Sequence, residues 1–142
     1  MKRLLLRFKS LPGGYIRRLP LPMVILCVDD DHTALTVRRL LLSIAGYTVL
    51  TASSVEAALG LFDVNRIDLV ITDHFLTDGT GAELTRLMRR LKPEIPLVLL
   101  TGLADLPPLY KHIDMVVSKG ITPENFLAEI ARLLFASGRN IA

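Results

Sequence analysis

No acid occurs in the first 28 residues of the chain, and only one cysteine occurs anywhere. Six bases, Lys2, Arg3, Arg7, Lys9, Arg17 and Arg18, precede the first acid, Asp29, so a net charge of +3 leaves −3 on the stretch from Met23 to Ala142. The basic character therefore belongs to an N-terminal extension and not to the domain behind it. The lone cysteine, Cys27, excludes an internal disulfide framework, and without a C-x-x-C or a Cys/His cluster zinc has no ligand set. Cys27 lies inside an apolar run and is expected in the core. A long hydrophobic run is missing as well: Leu4-Leu5-Leu6 is closed by Arg7, too short for a signal peptide or a membrane span. Residues 1–22 read as a basic, poorly ordered extension of a cytoplasmic protein, with Pro12-Gly13-Gly14, Pro20 and Pro22 interrupting any helix. It is either a dispensable leader or a short arm for anionic lipid or nucleic acid. Internal repeats and low-complexity segments are absent.

What is present suffices for one domain: 142 residues, 51% of them hydrophobic. Strand and helix signals alternate from Met23 onward. Val24 to Val28 is an apolar run ended by Asp29-Asp30-Asp31, and the helix behind it places Leu35, Leu41, Leu42 and Ala45 near one face until Gly46 stops it. Thr48 to Ala52 is a second strand, and Ser53-x-x-Glu56 is a capping box for a helix with Val55, Ala58, Leu59 and Phe62 inward. Leu69-Val70-Ile71-Thr72 has the unbroken apolar or β-branched character of a strand buried on both faces, halted by Asp73 and a Gly-containing loop. Ala82 to Leu91 is a helix whose stripe is Leu84, Leu87, Met88 and Leu91, with Arg86, Arg89 and Arg90 outward as a solvated face. Pro96 to Thr101 and Met115 to Ser118 supply two more strands. The crossing between them, Leu103 to Asp114, contains Pro107-Pro108 and is not expected to form a full regular helix. Thr122 as N-cap, Pro123 at the first helical position and Glu124 in the first turn open a last helix with Phe126, Leu127, Ile130 and Leu134 inward. Five such strands separated by crossings predict an α/β fold, a doubly wound five-stranded parallel sheet flanked by helices, over residues 23–136 with a tail at 137–142.

Polar residues close the strands: Asp29 and Asp30 the first, Asp73 the third, Thr101 the fourth and Lys119 the fifth. Ligands of open parallel sheets bind outside this carboxyl edge, which makes acids there site candidates, although an isolated strand-ending Asp more commonly caps a loop. Three carboxylates crowded on one edge raise each other's pKa unless a hard divalent cation neutralises them. Oxygen ligands at an open, hydrated site favour Mg2+ over zinc. A lysine and a threonine hydroxyl aimed at the same place can hold phosphoryl oxygens. The chemistry implied is phosphoryl transfer onto a carboxylate.

Taken in order and spacing, Val28-Asp29-Asp30-Asp31, Asp73 with Gly81 eight positions on, Thr101-Gly102 and Ser118-Lys119 resemble the receiver domain of two-component response regulators, from about Val24 to Leu134. The resemblance implies a flavodoxin-like receiver fold and a phosphoacceptor signalling domain, not an enzyme acting on others, that assists its own phosphorylation and dephosphorylation. It implies Asp73 as phosphoacceptor and Mg2+ held by Asp29, Asp30, Asp73 and the backbone carbonyl of Phe75. Thr101 would bond the phosphoryl group and move with it, and Lys119 would pair with its charge. The donor implied is a sensor histidine kinase, a histidine phosphotransfer protein or a small acyl phosphate, and the output is a changed protein-binding surface read by a downstream target protein. With only Phe135 to Ala142 after the last helix, no DNA-binding or other output domain is expected. The chain then reads as a single-domain response regulator or as an intermediate carrier in a phosphorelay.

Two other readings remain open. A pseudo-receiver would bind partners without phosphorylation, and the intact five-residue set argues against it. A phosphohydrolase using Asp73 as nucleophile would want an acid or base two positions on, where Phe75 stands. Departures from the family pattern carry expectations of their own. Leu76-Thr77 replaces the usual Met-Pro, Gly120 replaces a proline that commonly fixes the lysine, and Val116 replaces the aromatic switch residue. Phe75 and Leu103, two positions after the acceptor and the threonine, are expected to keep water from an acyl phosphate and prolong its life. His74 reads as a loop imidazole lining the mouth of the site, and His32 and His112 lack ligand-like neighbours in sequence.

Overall fold

Apolar side chains on both faces of a strand require cover above and below the sheet, and the helices provide it. The structure is a computed structural model that describes residues 22–102 and 111–138. Its main elements are β1 (Val24–Val28), α1 (His32–Ile44), β2 (Thr48–Ala52), α2 (Val55–Val64), β3 (Leu69–Asp73), α3 (Gly81–Leu91), β4 (Leu97–Thr101), β5 (Met115–Ser118) and α4 (Pro123–Ala136). The strands form one five-stranded parallel sheet in the order β2-β1-β3-β4-β5. A two-stranded antiparallel ribbon, Phe75–Leu76 against Gly79–Thr80, sits between β3 and α3. The doubly wound parallel architecture expected from the sequence is therefore the one observed.

Alternation along β1 sorts the core into two layers. Ile25 and Cys27 face α1 and α4 together with Leu35, Leu42, Phe126, Ile130 and Leu134. Leu26 and Val28 face α2 and α3 with Ala58, Phe62, Leu84 and Met88. Every residue of β3 and of β4 is buried. Cys27 is fully buried, and burial pushes its thiol up to about 12, so it is an inert core residue.

Helix ends follow local chemistry, with some departures from expectation. Gly46 takes φ of 103°, which lets its N–H meet the Ser43 carbonyl at 3.0 Å and the Tyr47 N–H meet that of Leu42 at 3.1 Å. Ala45 is thereby the exposed C-cap of α1 and not part of its inward face. The cap of α2 is Ser54, one residue beyond the expected Ser53, and its hydroxyl accepts from the Ala57 N–H. The reason is Asp78 in the ribbon turn, whose carboxylate takes the N–H groups of Val55 and Glu56 at 2.7 and 3.1 Å. On α3, Leu84 and Met88 are buried, but Leu87 and Leu91 are exposed, so the stripe is narrower than expected. Arg89 does not point outward. Its guanidinium donates to the carbonyls of His112, Pro93 and Ile95 and pairs with Asp114, because the chain leaving α3 offers carbonyls that need donors. Thr122, Pro123 and Glu124 open α4 as expected. The extension up to residue 21, the 103–110 part of the Pro-containing crossing and the tail from 139 lie outside the described residues.

The Val55 and Glu56 N–H bonds hold the Asp78 carboxyl below its ordinary range. A depressed folded value stabilises the fold above the unfolded carboxylate pKa of about 3.9 and loses that contribution as pH falls through the lower folded value. Asp78→Asn is expected to melt below the wild type at pH 7, and the gap should close toward pH 3 or below. A gap that does not change with pH in thermal unfolding would contradict the capping role.

Candidate functional site

The parallel sheet delivers four strand ends to one edge, and the site is built on them. Backbone pairing runs one residue past β1, since the Asp29 N–H bonds the Ala52 carbonyl at 3.1 Å. Asp29 is thus held rigidly and is only 1% exposed. Its Oδ1 accepts the Asp31 N–H at 2.9 Å, and its Oδ2 accepts from Arg38 Nη1 on α1 at 3.2 Å. Asp31 in turn is the N-cap of α1, accepting from the Thr33 and Ala34 N–H groups. The run of three acids is therefore divided in its work: the first is buried, the third caps the helix, and Asp30 between them is exposed.

Asp73 ends β3 and is 6% exposed. Both of its donors sit on Oδ1, the His74 N–H at 2.8 Å and Lys119 Nζ at 2.7 Å. Thr101 ends β4, buried, and its carbonyl accepts the Lys119 N–H at 3.0 Å. Lys119 reaches Asp73 without a following proline. The Ser118 hydroxyl accepts the Gly120 N–H and the Ser118 carbonyl accepts the Ile121 N–H, each at 3.1 Å, and this closed turn fixes the lysine backbone instead.

Carboxylate oxygens of Asp29, Asp30 and Asp73 all lie within 4.8 Å of one another. Three hard oxygen donors, two of them buried at rigid strand ends, fit a small divalent cation such as Mg2+. Phe75 lies two residues beyond Asp73 in the ribbon and is exposed, with the His74 ring edge-on to it at 4.4 Å. His74 itself is 8% exposed, which corrects the expectation that it lines the open mouth: its side chain turns into the protein as the chain enters the ribbon. His112 also has a place, its Nε2 lying 2.8 Å from the Thr85 hydroxyl of α3. Val116, on the edge strand β5, is half-exposed, and Leu103 lies outside the described residues.

Two neighbours of the site were not singled out from the sequence as they stand in the fold. Arg38 is one. It follows Leu35 by three residues and precedes Leu42 by four, so it shares their inward side of α1, and a base in that register was the available signal. Gly81 is the other, noted in sequence only for its spacing. A Cβ at this position would stand 2.2 Å from the Asp73 carbonyl oxygen and 2.8 Å from Leu99 Cδ1. The start of α3 can lie against the end of β3, with the Gly81 N–H on the His74 carbonyl at 2.7 Å, only because that atom is missing.

Comparison with known proteins places the chain among receivers. A family model described as the response regulator receiver domain matches residues 25–131. The transcriptional regulatory protein GlrR of Escherichia coli K12 is 33% identical over 86 residues, covering 61% of this chain and 19% of that protein. A probable transcriptional regulator, ycf27, of Cyanophora paradoxa is 32% identical over 117 residues, covering 78% of this chain and 47% of its own length. The chain thus spans less than half of these curated relatives. Among solved structures, a CheY-like receiver domain protein from Methanospirillum hungatei JF-1 superposes with a TM-score of 0.79 at 26% identity, covering 85% of this chain and all of that one. TrrA from Thermotoga maritima, solved in complex with Mg(2+)-BeF, gives 0.74 at 26% identity, covering 78% of this chain and 98% of that one.

Two glycines of opposite sign test the packing. Gly81→Ala is expected to lower stability by about 1 to 3 kcal/mol, since rigid backbone must give way. Gly60→Ala, within α2 and with nothing inside 4 Å, should raise stability by about 0.5 to 1 kcal/mol. Urea unfolding of both variants decides it, and a neutral Gly81→Ala would refute the close approach.

Proposed function

The chain belongs to the response regulator receiver domain family, and from that premise we propose that it accepts a phosphoryl group on Asp73 and changes a protein-binding surface in response. Receivers as a family serve as phosphoacceptors and bind Mg2+ at an acidic pocket. The observation that carries the reading here is the cluster of Asp29, Asp30 and Asp73 within 4.8 Å, with Lys119 on Asp73 at 2.7 Å. With both donors on Oδ1, the nucleophile is assigned to Oδ2. It attacks phosphorus in line, the bond from phosphorus to the donor breaks, the electron pair leaves with the donor, and an acyl phosphate remains on Asp73. Asp29, Asp30, Asp73 and the Phe75 carbonyl are the proposed Mg2+ ligands; bound there, the ion supplies neutralisation of charge on the phosphoryl oxygens. Lys119 exchanges Asp73 Oδ1 for a phosphoryl oxygen, and the Thr101 hydroxyl takes another.

The proposed donors are a sensor histidine kinase or a histidine phosphotransfer protein, with a small acyl phosphate as substitute, and a target protein reads the result. The chain is proposed to act in the cytoplasm. Among the described residues no helix is long and apolar enough to cross a membrane. Service as an intermediate phosphorelay carrier uses the same site.

Incubation with a small-molecule acyl phosphate should label the protein when Mg2+ is present and not in EDTA, and Asp73→Asn should take no label. Label surviving in either control removes Asp73 from the role. Phe75, exposed beside the site, is proposed to exclude the hydrolytic water. A lost water-orienting hydrogen bond is worth about 1 to 3 kcal/mol, or roughly a five- to hundredfold slowing. Decay of phospho-Asp73 should accordingly quicken in Phe75→Asn; equal decay rates would dismiss the exclusion.

A further inference from the structure

Arg38 is a cation already paired with one of the three carboxylates proposed to hold the metal. Its side chain is 13% exposed, its Nη1 lies 3.2 Å from Asp29 Oδ2, and Asp29 is 1% exposed. The other oxygen of Asp29 is bonded to the Asp31 N–H. Two of the three acids therefore each hold an internal cation: Asp73 has Lys119, and Asp29 has Arg38. Lys119 has somewhere to go when phosphorylation occurs, because a phosphoryl oxygen replaces its partner. Arg38 gains no phosphoryl partner, and a doubly charged ion on Asp29 would face it across one carboxylate.

We propose that Arg38 is a positioning residue that competes with Mg2+ for Asp29, stabilising the metal-free site and lowering its affinity for the ion. This rests on the assignment of Asp29, Asp30 and Asp73 as the Mg2+ site. Arg38, Asp29 and Lys119 themselves line a groove of about 430 Å3 between α1 and α4, so the side chain has open space beside it into which to withdraw. Ala34, Val37, Leu41 and Phe126 line it and can cover the aliphatic stem, while Asp31 at its rim offers the guanidinium a second carboxylate.

Binding of Mn2+ by electron paramagnetic resonance and of Mg2+ by calorimetry, in wild type, Arg38→Leu and Arg38→Lys, tests this without any phosphorylation. Arg38→Leu should bind both ions about ten- to hundredfold more tightly, the scale on which neighbours of metal ligands act, with Arg38→Lys between. Without metal, Arg38→Leu should melt lower than wild type, and saturating Mg2+ should raise its melting temperature by more. Lower melting with unchanged dissociation constants would mean a structural ion pair only and overturns the competition. If wild type and variant both fail to bind either ion, the metal assignment falls and the inference with it. If wild type binds and the affinities are equal, the assignment stands and the inference alone falls. Should Arg38→Leu not fold, the Arg38 Nε–H signal of the wild-type protein answers the question: it should shift with Mg2+ at the midpoint of binding, and a stationary signal overturns the proposal.

Discussion

Like charges held close by a sheet are the constraint on which this structure depends. The register that pairs Val28 of β1 with Thr72 of β3 brings the next residues, Asp29 and Asp73, side by side on neighbouring strands. Strands stand about 4.8 Å apart, so the backbone ladder sets how near the two acids must be. Neither strand can shift to relieve them. β3 is buried at every position, and a slip of one residue would exchange the side chains it presents to the two packed layers.

The surroundings of the acids follow from that crowding. Lys119 and Arg38 each bring one positive charge, and the Asp31 and His74 N–H groups supply donors. These partners come from the turn after β5, from α1 and from the loops next to the acids, so the charge balance is a property of the assembled fold and of no single segment. Gly81 belongs to the same problem. A closer α3 shields the end of β3 from water, and the missing side chain allows the approach.

Much of this was legible in the sequence because it depends on period and punctuation. Continuous apolar runs revealed the strands, abrupt acids, threonine and lysine revealed their ends, and Thr122-Pro123 with Glu124 revealed where α4 starts. What escaped depends on contacts between elements. The cap of α2 moved to Ser54 because Asp78 arrives from 22 or more residues away. Arg89 looked like surface charge, and only the return of the chain past His112 and Asp114 shows why it folds over. His74 looked like a loop residue because nothing local indicates that its ring turns inward. Arg38 sat within the helical register of buried leucines, where a charged residue asks for a partner that only β1 can supply.

The sheet order has a further meaning for how the chain matures. β1 sits between β2 and β3, and its ladder to β3 begins beside a bond that spans 44 residues, the Val24 N–H on the Asp68 carboxylate at 2.8 Å. Parallel neighbours have no tight hairpin to draw them together, so loop closure must come first. Lys119 lies one residue beyond β5, so it reaches Asp73 only where β5 is paired with β4. A half-synthesised chain could pair β1 with β2 yet hold no gathered acids and no lysine. The three acids and the lysine are therefore together only in the assembled sheet.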